Sequence, residues 1–274
     1  RAAEAVTPRT KAVMPVHFAG LPVARAELAE FASAYGLRVV EDAAHSHPVD
    51  SEGMPVGLGA SDAVVFSFYA TKTMTSGEGG MIVSADSDLV TRMRTMRLHG
   101  ISRDVFSRYT STAPSWHYEV VAPGFKYNLT DVAAAMARVQ LTRSVAMRER
   151  RSAIAARYDD VLAGLPVRLP SRPAHPQTHH AWHLYVLRLT EDASMGRDEF
   201  IQRMSDAGVG TSVHFIPLHH HPYWRDLRGP DAAPLPVADA QFQCAVSIPI
   251  FSSMSDQQVE RVGETVRAVL EGRA

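Results

Sequence analysis

The chain has a single cysteine, Cys244, among 274 residues. That excludes an internal disulfide framework, fits a reducing compartment and leaves no thiolate cluster for zinc. Neither sign of charge is in excess: 28 Lys and Arg stand against 29 Asp and Glu, a formal net charge of −1. This balance provides no field for nucleic acid or an anionic membrane. Apolar runs are short, and none approaches the ~20 residues a membrane-spanning helix needs. Arg1 to Ala5 lack the apolar centre of a signal peptide. Internal repeats and low-complexity segments are missing. So is a Gly-x-Gly-x-x-Gly after an early strand, which argues against a dinucleotide-binding oxidoreductase. These absences lead to the expectation of a cytoplasmic protein. What remains is ordinary globular composition, 46% hydrophobic and 21% charged, with enough chain for one large or two ordinary domains.

Residues 12–17 read as a short buried strand. Pro22 opens a helix with Leu28, Phe31 and Ala32 on one face, closed by Gly36. Residues 37–41 form the next strand, a strand-helix-strand unit of the parallel-sheet kind. Residues 63–68 and 80–84 add two strands, and Asp86 or Ser87 caps a helix ending at Gly100. A long connection, 101–129, precedes a helix that Thr130 or Asp131 caps and that runs toward Gly164, with a bend near Ser144. Residues 166–177 hold four prolines and read as a linker. Beyond it come a strand (183–189), a helix (197–207), a strand (209–215) and a last helix (255–270). The expected division is a large domain at 1–164, including the long helix, and a small α+β domain at 165–274.

Lys72 is the most informative residue. It follows the apolar run that ends at Phe68 and precedes Gly77-Glu78-Gly79-Gly80. A lysine between a buried strand and a glycine turn is partly desolvated, which lowers its pKa and suits a Schiff-base nucleophile. Asp42 ends an earlier apolar run, where open α/β sheets place ligands. An acid and a lysine at two strand ends suit pyridoxal 5′-phosphate (PLP): the acid pairs with the pyridinium nitrogen and the lysine forms the imine. His45 can donate to or stack on a cofactor ring. Ser67 and nearby N–H groups can take a phosphate. Tyr127-Asn128, before the long helix, offers donors for an anion. Each has a plainer alternative: a capping Asp, a packed Ser or His, an ordinary helix start. The histidines at 179, 180, 183, 214 and 219–221 invite a metal, but adjacent histidines on a loop rarely complete one closed tetrahedral site. No metal is expected from them; they read as lining of a polar substrate cleft. Cys244 reads as a small core residue.

Several stretches taken together resemble the DegT/StrS family of PLP-dependent sugar-nucleotide aminotransferases. They are Glu41-Asp42-Ala43-Ala44-His45, Phe66 through Lys72, Gly77 through Gly80, Leu98-His99-Gly100-Ile101-Ser102-Arg103-Asp104, Pro123 through Asp131, and His180-Ala181-Trp182-His183-Leu184-Tyr185. Thr7 through Lys11, Pro15-Val16-His17 and Val213 through His219 also fit. Several stretches are most similar to the branch that makes 4-amino-4-deoxy-L-arabinose on a UDP carrier. The resemblance implies a fold-type I aminotransferase: an α/β large domain with a mostly parallel sheet, plus the small C-terminal domain, working as a homodimer with shared active sites. It implies Lys72 as the Schiff-base lysine, Asp42 on the pyridine nitrogen, His45 on the ring and Ser67 on the phosphate. Asn128, or Lys126 in the same slot, would reach the neighbouring subunit's phosphate, and His214 would line the sugar-nucleotide cleft. The implied reaction moves an amino group from L-glutamate to a nucleotide-linked keto-sugar, yielding 2-oxoglutarate and an amino sugar for envelope polysaccharide, lipopolysaccharide or antibiotics. Family members are longer at the N-terminus by roughly a hundred residues, about one small domain, so the chain is expected to begin partway into the large domain, without its first phosphate-binding turn. Alternatives are a cyclitol aminotransferase of the same family and a non-catalytic dimerisation or regulatory remnant.

Overall fold

The computed structural model describes residues 2–102, 118–230 and 232–273. Arg103 and Asp104 of the Leu98–Asp104 motif lie outside the described residues. The chain divides into two compact units, one made of 1–18, 22–144 and 175–179, the other of 19–21, 145–174 and 180–274.

In the first unit a four-stranded sheet has the order β1 (Ala12–Val13), β2 (Arg38–Asp42), β5 (Ala63–Ser67), β6 (Gly80–Val83). The first three strands run parallel; β6 is antiparallel to β5. β3 (Asp50–Ser51) and β4 (Met54–Pro55) form a small hairpin. The crossover between β1 and β2 carries α1 (Arg25–Tyr35). Leu28 and Ala32, one helical turn apart, bury against Val39 of β2. Gly36 ends α1 at φ +61°, donating its N–H to the carbonyls of Ala32 and Ser33. The helix starts at Arg25 rather than Pro22: Ala24 stands at ψ +120°, outside the helical region, and the Val23 N–H is taken at 3.1 Å by Nδ1 of His17. α2 (Ser87–Met96) is capped by Asp86, which accepts from the N–H groups of Asp88 and Leu89. It stops before Gly100, where His99 and Gly100 turn the chain at φ +58° and +68°.

The long helix, α3 (Asp131–Leu162), is shared between the units. The division falls at 144/145, upstream of the 164/165 boundary read from the sequence. Ile154, Ala155, Tyr158 and Leu162 belong to the second unit's core, which explains the shift. That unit is α+β. Its antiparallel sheet has the order β7 (Val167–Arg168), β8 (Tyr185–Leu189), β9 (Ala245–Ile248). Its helices after α3 are α4 (Arg197–Asp206), α5 (Pro222–Arg228), α6 (Pro236–Cys244) and α7 (Asp256–Leu270). α7 opens on a reciprocal Ser255–Gln258 capping box and buries Val259, Val262, Val266 and Val269 along one face. Two expectations fail here. β7 forms inside the stretch read as a linker. Residues 209–215 make no strand, only a single bridge from Ser212 to Ser247: Phe215 is 84% exposed, so the alternation that would bury it does not hold. Cys244 is half-buried at the end of α6 rather than in the core.

Candidate active site

Asp42 and Ser67 end the neighbouring parallel strands β2 and β5. The Asp42 backbone is fixed from one side by the chain after β1: its N–H donates to Pro15 O at 2.9 Å, and its carbonyl accepts from the His17 N–H at 3.0 Å. From the other side Ala43 donates to Val65 O at 2.9 Å. The carboxylate takes the Ala44 N–H at 3.0 Å on one oxygen, a turn that leaves lone pairs for another donor. His45 follows in that turn, half-buried, its ring 6.4 Å from Phe18.

After Ser67 the chain makes a closed loop and returns as β6. Phe68 donates to Gly79 O at 2.8 Å and accepts from the Ser76 N–H and the Thr75 hydroxyl, both at 3.0 Å. Ser76 Oγ donates to Glu78 O. Thr73, Met74 and Ser76 are buried, and Met74 packs with Ala43, Val64, Phe66, Phe68 and Ala137. Gly77 and Gly79 stand at φ +85° and +139°, where a side chain is strained. Gly80 allows close approach of β6: a Cβ there would sit 2.6 Å from the Phe66 carbonyl oxygen.

Lys72 lies in this loop, its N–H bonded to Tyr69 O at 3.0 Å. Burial pushes its ammonium below the ordinary lysine value, and the nearby Asp42 carboxylate pulls it partly back. The structure therefore brings Asp42 and Lys72 within reach of each other's charge. Ser67 Oγ accepts the Tyr69 N–H at 3.3 Å and is half-buried at the loop's start.

Asn128 is placed differently. It lines an open groove of about 620 Å³ with Ser76, Glu78, Gly79, Gly80 and Tyr127, and Lys72 is not among the lining residues. Lys126 is exposed and bridges Leu98. His214 belongs to the second unit, half-buried with its ring against Phe215.

A model of the DegT/DnrJ/EryC1/StrS aminotransferase family matches residues 1–267. The chain belongs to that family. It is 43% identical over 270 residues to the spore coat polysaccharide biosynthesis protein SpsC of Bacillus subtilis, covering 98% of this chain and 69% of SpsC. Among solved structures, DesV of S. venezuelae, in complex with a ketimine intermediate, is 33% identical with a TM-score of 0.85, covering 98% of this chain and 68% of DesV. Spr1654 from Streptococcus pneumoniae, in its PMP-form, is 28% identical with a TM-score of 0.88, covering 100% of this chain and 72% of Spr1654. This DegT-family chain is thus a PLP-dependent aminotransferase of fold-type I.

The residues present fit that cofactor. A lysine of lowered proton affinity stands near a carboxylate with free lone pairs. Beside Lys72, the Thr73 hydroxyl is buried with no protein partner, a polar atom that a bound group can satisfy. An amine of this kind can form an imine with an aldehyde, and a carboxylate can pair with a protonated ring nitrogen.

The supporting residues were not singled out from sequence. Fully buried His17 accepts the Val23 N–H on Nδ1, which leaves its proton on Nε2, and Nε2 lies 2.8 Å from a Glu41 carboxylate oxygen. Burial raises the Glu41 pKa, but the bonds from His17 and Ser61 and nearby positive charge outweigh it and leave the carboxyl below its ordinary value. A histidine just after a strand and an acid just before Asp42 were the only signals for this pair.

Proposed function

We propose that the chain transfers an amino group from L-glutamate to a nucleotide-linked keto-sugar, in amino-sugar biosynthesis for cell-envelope or other polysaccharides. The observation that carries this reading is the Lys72 loop, its amine partly desolvated and within the field of the Asp42 carboxylate at the end of β2. The name of SpsC, a polysaccharide biosynthesis protein, supports a sugar acceptor.

Lys72 Nζ would hold PLP, Asp42 would pair with its pyridine nitrogen, His45 would contact the ring and Ser67 would contribute to phosphate binding. PLP, when bound, supplies the electron sink that lets a substrate C–H bond ionise. Lys72 Nζ would take the proton from the glutamate Cα in the first half-reaction and give one to the sugar carbon that becomes aminated in the second. The donor leaves as 2-oxoglutarate before the keto-sugar reacts, so the kinetics are ping-pong. His214 and the loop after it line the acceptor cleft. The protein acts as a homodimer in which Asn128 reaches the partner's cofactor phosphate. An exposed apolar stripe on α3, Val132, Met136 and Val139 at helical spacing, supports a partner surface. Among the described residues no helix is long and apolar enough to cross a membrane, in keeping with the proposed cytoplasmic site.

The test is a visible spectrum of the purified chain with added PLP, then borohydride reduction and peptide mapping. A reducible chromophore trapped on Lys72 is expected. Lys72→Ala should remove it and lower turnover on keto-sugar plus glutamate by at least about 10²-fold. Undiminished turnover in that variant would sink the reading. Equal rates with and without the nucleotide would move the acceptor to a free sugar or cyclitol.

A further inference from the structure

The second unit holds a polar cluster to which the transamination chemistry assigns no proton or bond-making step. His219 and His220 lie on the single 3₁₀ turn Leu218–His220, and Asp239 lies in the first turns of α6. Nε2 of His219 is 2.6 Å, and Nε2 of His220 is 2.7 Å, from the same Asp239 oxygen, Oδ1. All three ligand atoms lie within 4.8 Å of one another. An ionised carboxylate only accepts, so both imidazoles carry their proton on Nε2 and converge on one oxygen.

That arrangement matches a cation site occupied by hydrogen bonds. Moving each imidazole proton to Nδ1 frees two Nε2 lone pairs beside a negative oxygen. Widening the N–O gaps by roughly 0.6–1 Å gives the ~2.0–2.2 Å bonds of a tetrahedral divalent transition metal. The rings are already ordered: the His219 side chain is 14% exposed, and the His220 ring stands edge-on to Phe242 at 5.6 Å. Two imidazoles and one carboxylate suit Zn²⁺, Co²⁺ or Ni²⁺; Mg²⁺ and Ca²⁺ prefer all-oxygen sets. Adjacent histidines argue against a closed four-ligand site, but three protein ligands make an open one, with water completing the shell. We propose that His219, His220 and Asp239 bind one divalent transition-metal ion of the Zn²⁺ class, tying the 218–220 turn to α6.

The test titrates the full chain, freed of metal by chelator, with Co²⁺ and with Zn²⁺. Co²⁺ is followed by its visible d–d absorption, Zn²⁺ by calorimetry and competition. One ion per chain is expected, with Zn²⁺ displacing Co²⁺. Asp239→Asn and His220→Ala should each weaken binding by at least about tenfold, since loss of even an outer-shell partner costs that much. His221→Ala, which removes the neighbouring exposed histidine, should leave affinity unchanged. Far-UV circular dichroism checks the fold of each variant; if Asp239→Asn is misfolded, His220→Ala decides, its ring being the more exposed of the pair. Substoichiometric binding, equal affinity in the folded variants, or equal loss in His221→Ala would each overturn the proposal.

Discussion

At the scale of single residues, Lys72 and Asp42 act on each other through charge. Burial lowers the Lys72 pKa and Asp42 raises it. Removing the carboxylate charge should let the lysine pKa fall further, so the neutral amine appears at lower pH. In Asp42→Asn, the pH midpoint for PLP capture, read from stopped-flow absorbance, should move down relative to the unchanged protein. An upward or absent shift would show that the two groups do not couple. His180 offers an independent case. Its ring is buried, stacks on Trp182 at 3.8 Å, and accepts the Trp182 N–H on Nδ1 at 2.8 Å. Burial, then the nearby Arg172 charge, lowers its pKa from 6.5 to about 3. The unfolded chain takes up this proton near pH 6.5 while the folded chain refuses it. The contribution to stability is full above 6.5, is lost as pH falls toward 3, and changes by at most ~1.4 kcal/mol per pH unit. Asn at this position can accept the same N–H but does not titrate. Melting temperatures of His180→Asn should therefore fall less steeply between pH 6.5 and 4 than those of the parent. Parallel curves would contradict the buried neutral imidazole. Lys72 and Asp42 were legible in the sequence because each ends or follows an apolar run. The His17–Glu41 pair was not, since neither residue type nor spacing distinguishes it from an ordinary loop histidine and surface acid. Asp239 was not either: its bond to two histidines spans about twenty positions and depends on how α6 packs.

At the scale of elements, periodicity served where one face is buried continuously and failed where a single contact decides. α7 follows its valine stripe and its capping box, and α1 its Leu28–Ala32 pair and Gly36. The stretch 209–215 has strand-like composition, yet it meets β9 only through the Ser212–Ser247 bridge, while Ala245–Ile248 forms a full ladder with β8 from Tyr185 to Arg188. A tertiary contact of this kind is not visible in composition. The direction of β6 was equally hidden: its antiparallel course comes from the closed loop 68–79, whose glycines were visible but whose hydrogen bonds were not. Gly80 is the tightest point of that return. Gly80→Ala places a Cβ 2.6 Å from backbone, the Phe66 oxygen, which cannot rotate away. β6 must shift, at a cost of about 1–3 kcal/mol. A lower chemical-denaturation midpoint with unchanged slope is expected, together with weaker PLP capture because Lys72 rides on the same loop. A midpoint equal to the parent's would mean the sheet edge is already loose.

At the scale of the whole molecule, the two units differ in how much core each contains. The second has one continuous cluster in which Tyr158, Leu187, Phe200, Met204, Val246 and Val266 are essentially inaccessible. Among its described residues the first has two small clusters, around Phe66 and around Leu28. Stability should therefore be uneven, since opening free energies follow local apolar burial. Hydrogen exchange followed by mass spectrometry should find the slowest amides in β8, β9 and α7, with β2 and β5 exchanging through a lower-energy opening. Adding PLP should change this pattern in one place only. A ligand held by Lys72, Asp42 and Ser67 stabilises the states in which those residues are folded; at a hundred times its dissociation constant this is worth about 2.7 kcal/mol, or roughly a hundredfold slower exchange. That slowing should appear in β2, β5 and residues 68–79 and leave β8, β9 and α7 unchanged. Protection gained mainly in the second unit would place the cofactor away from Lys72, and equal protection in both units without PLP would show that the small clusters of the first unit understate its stability.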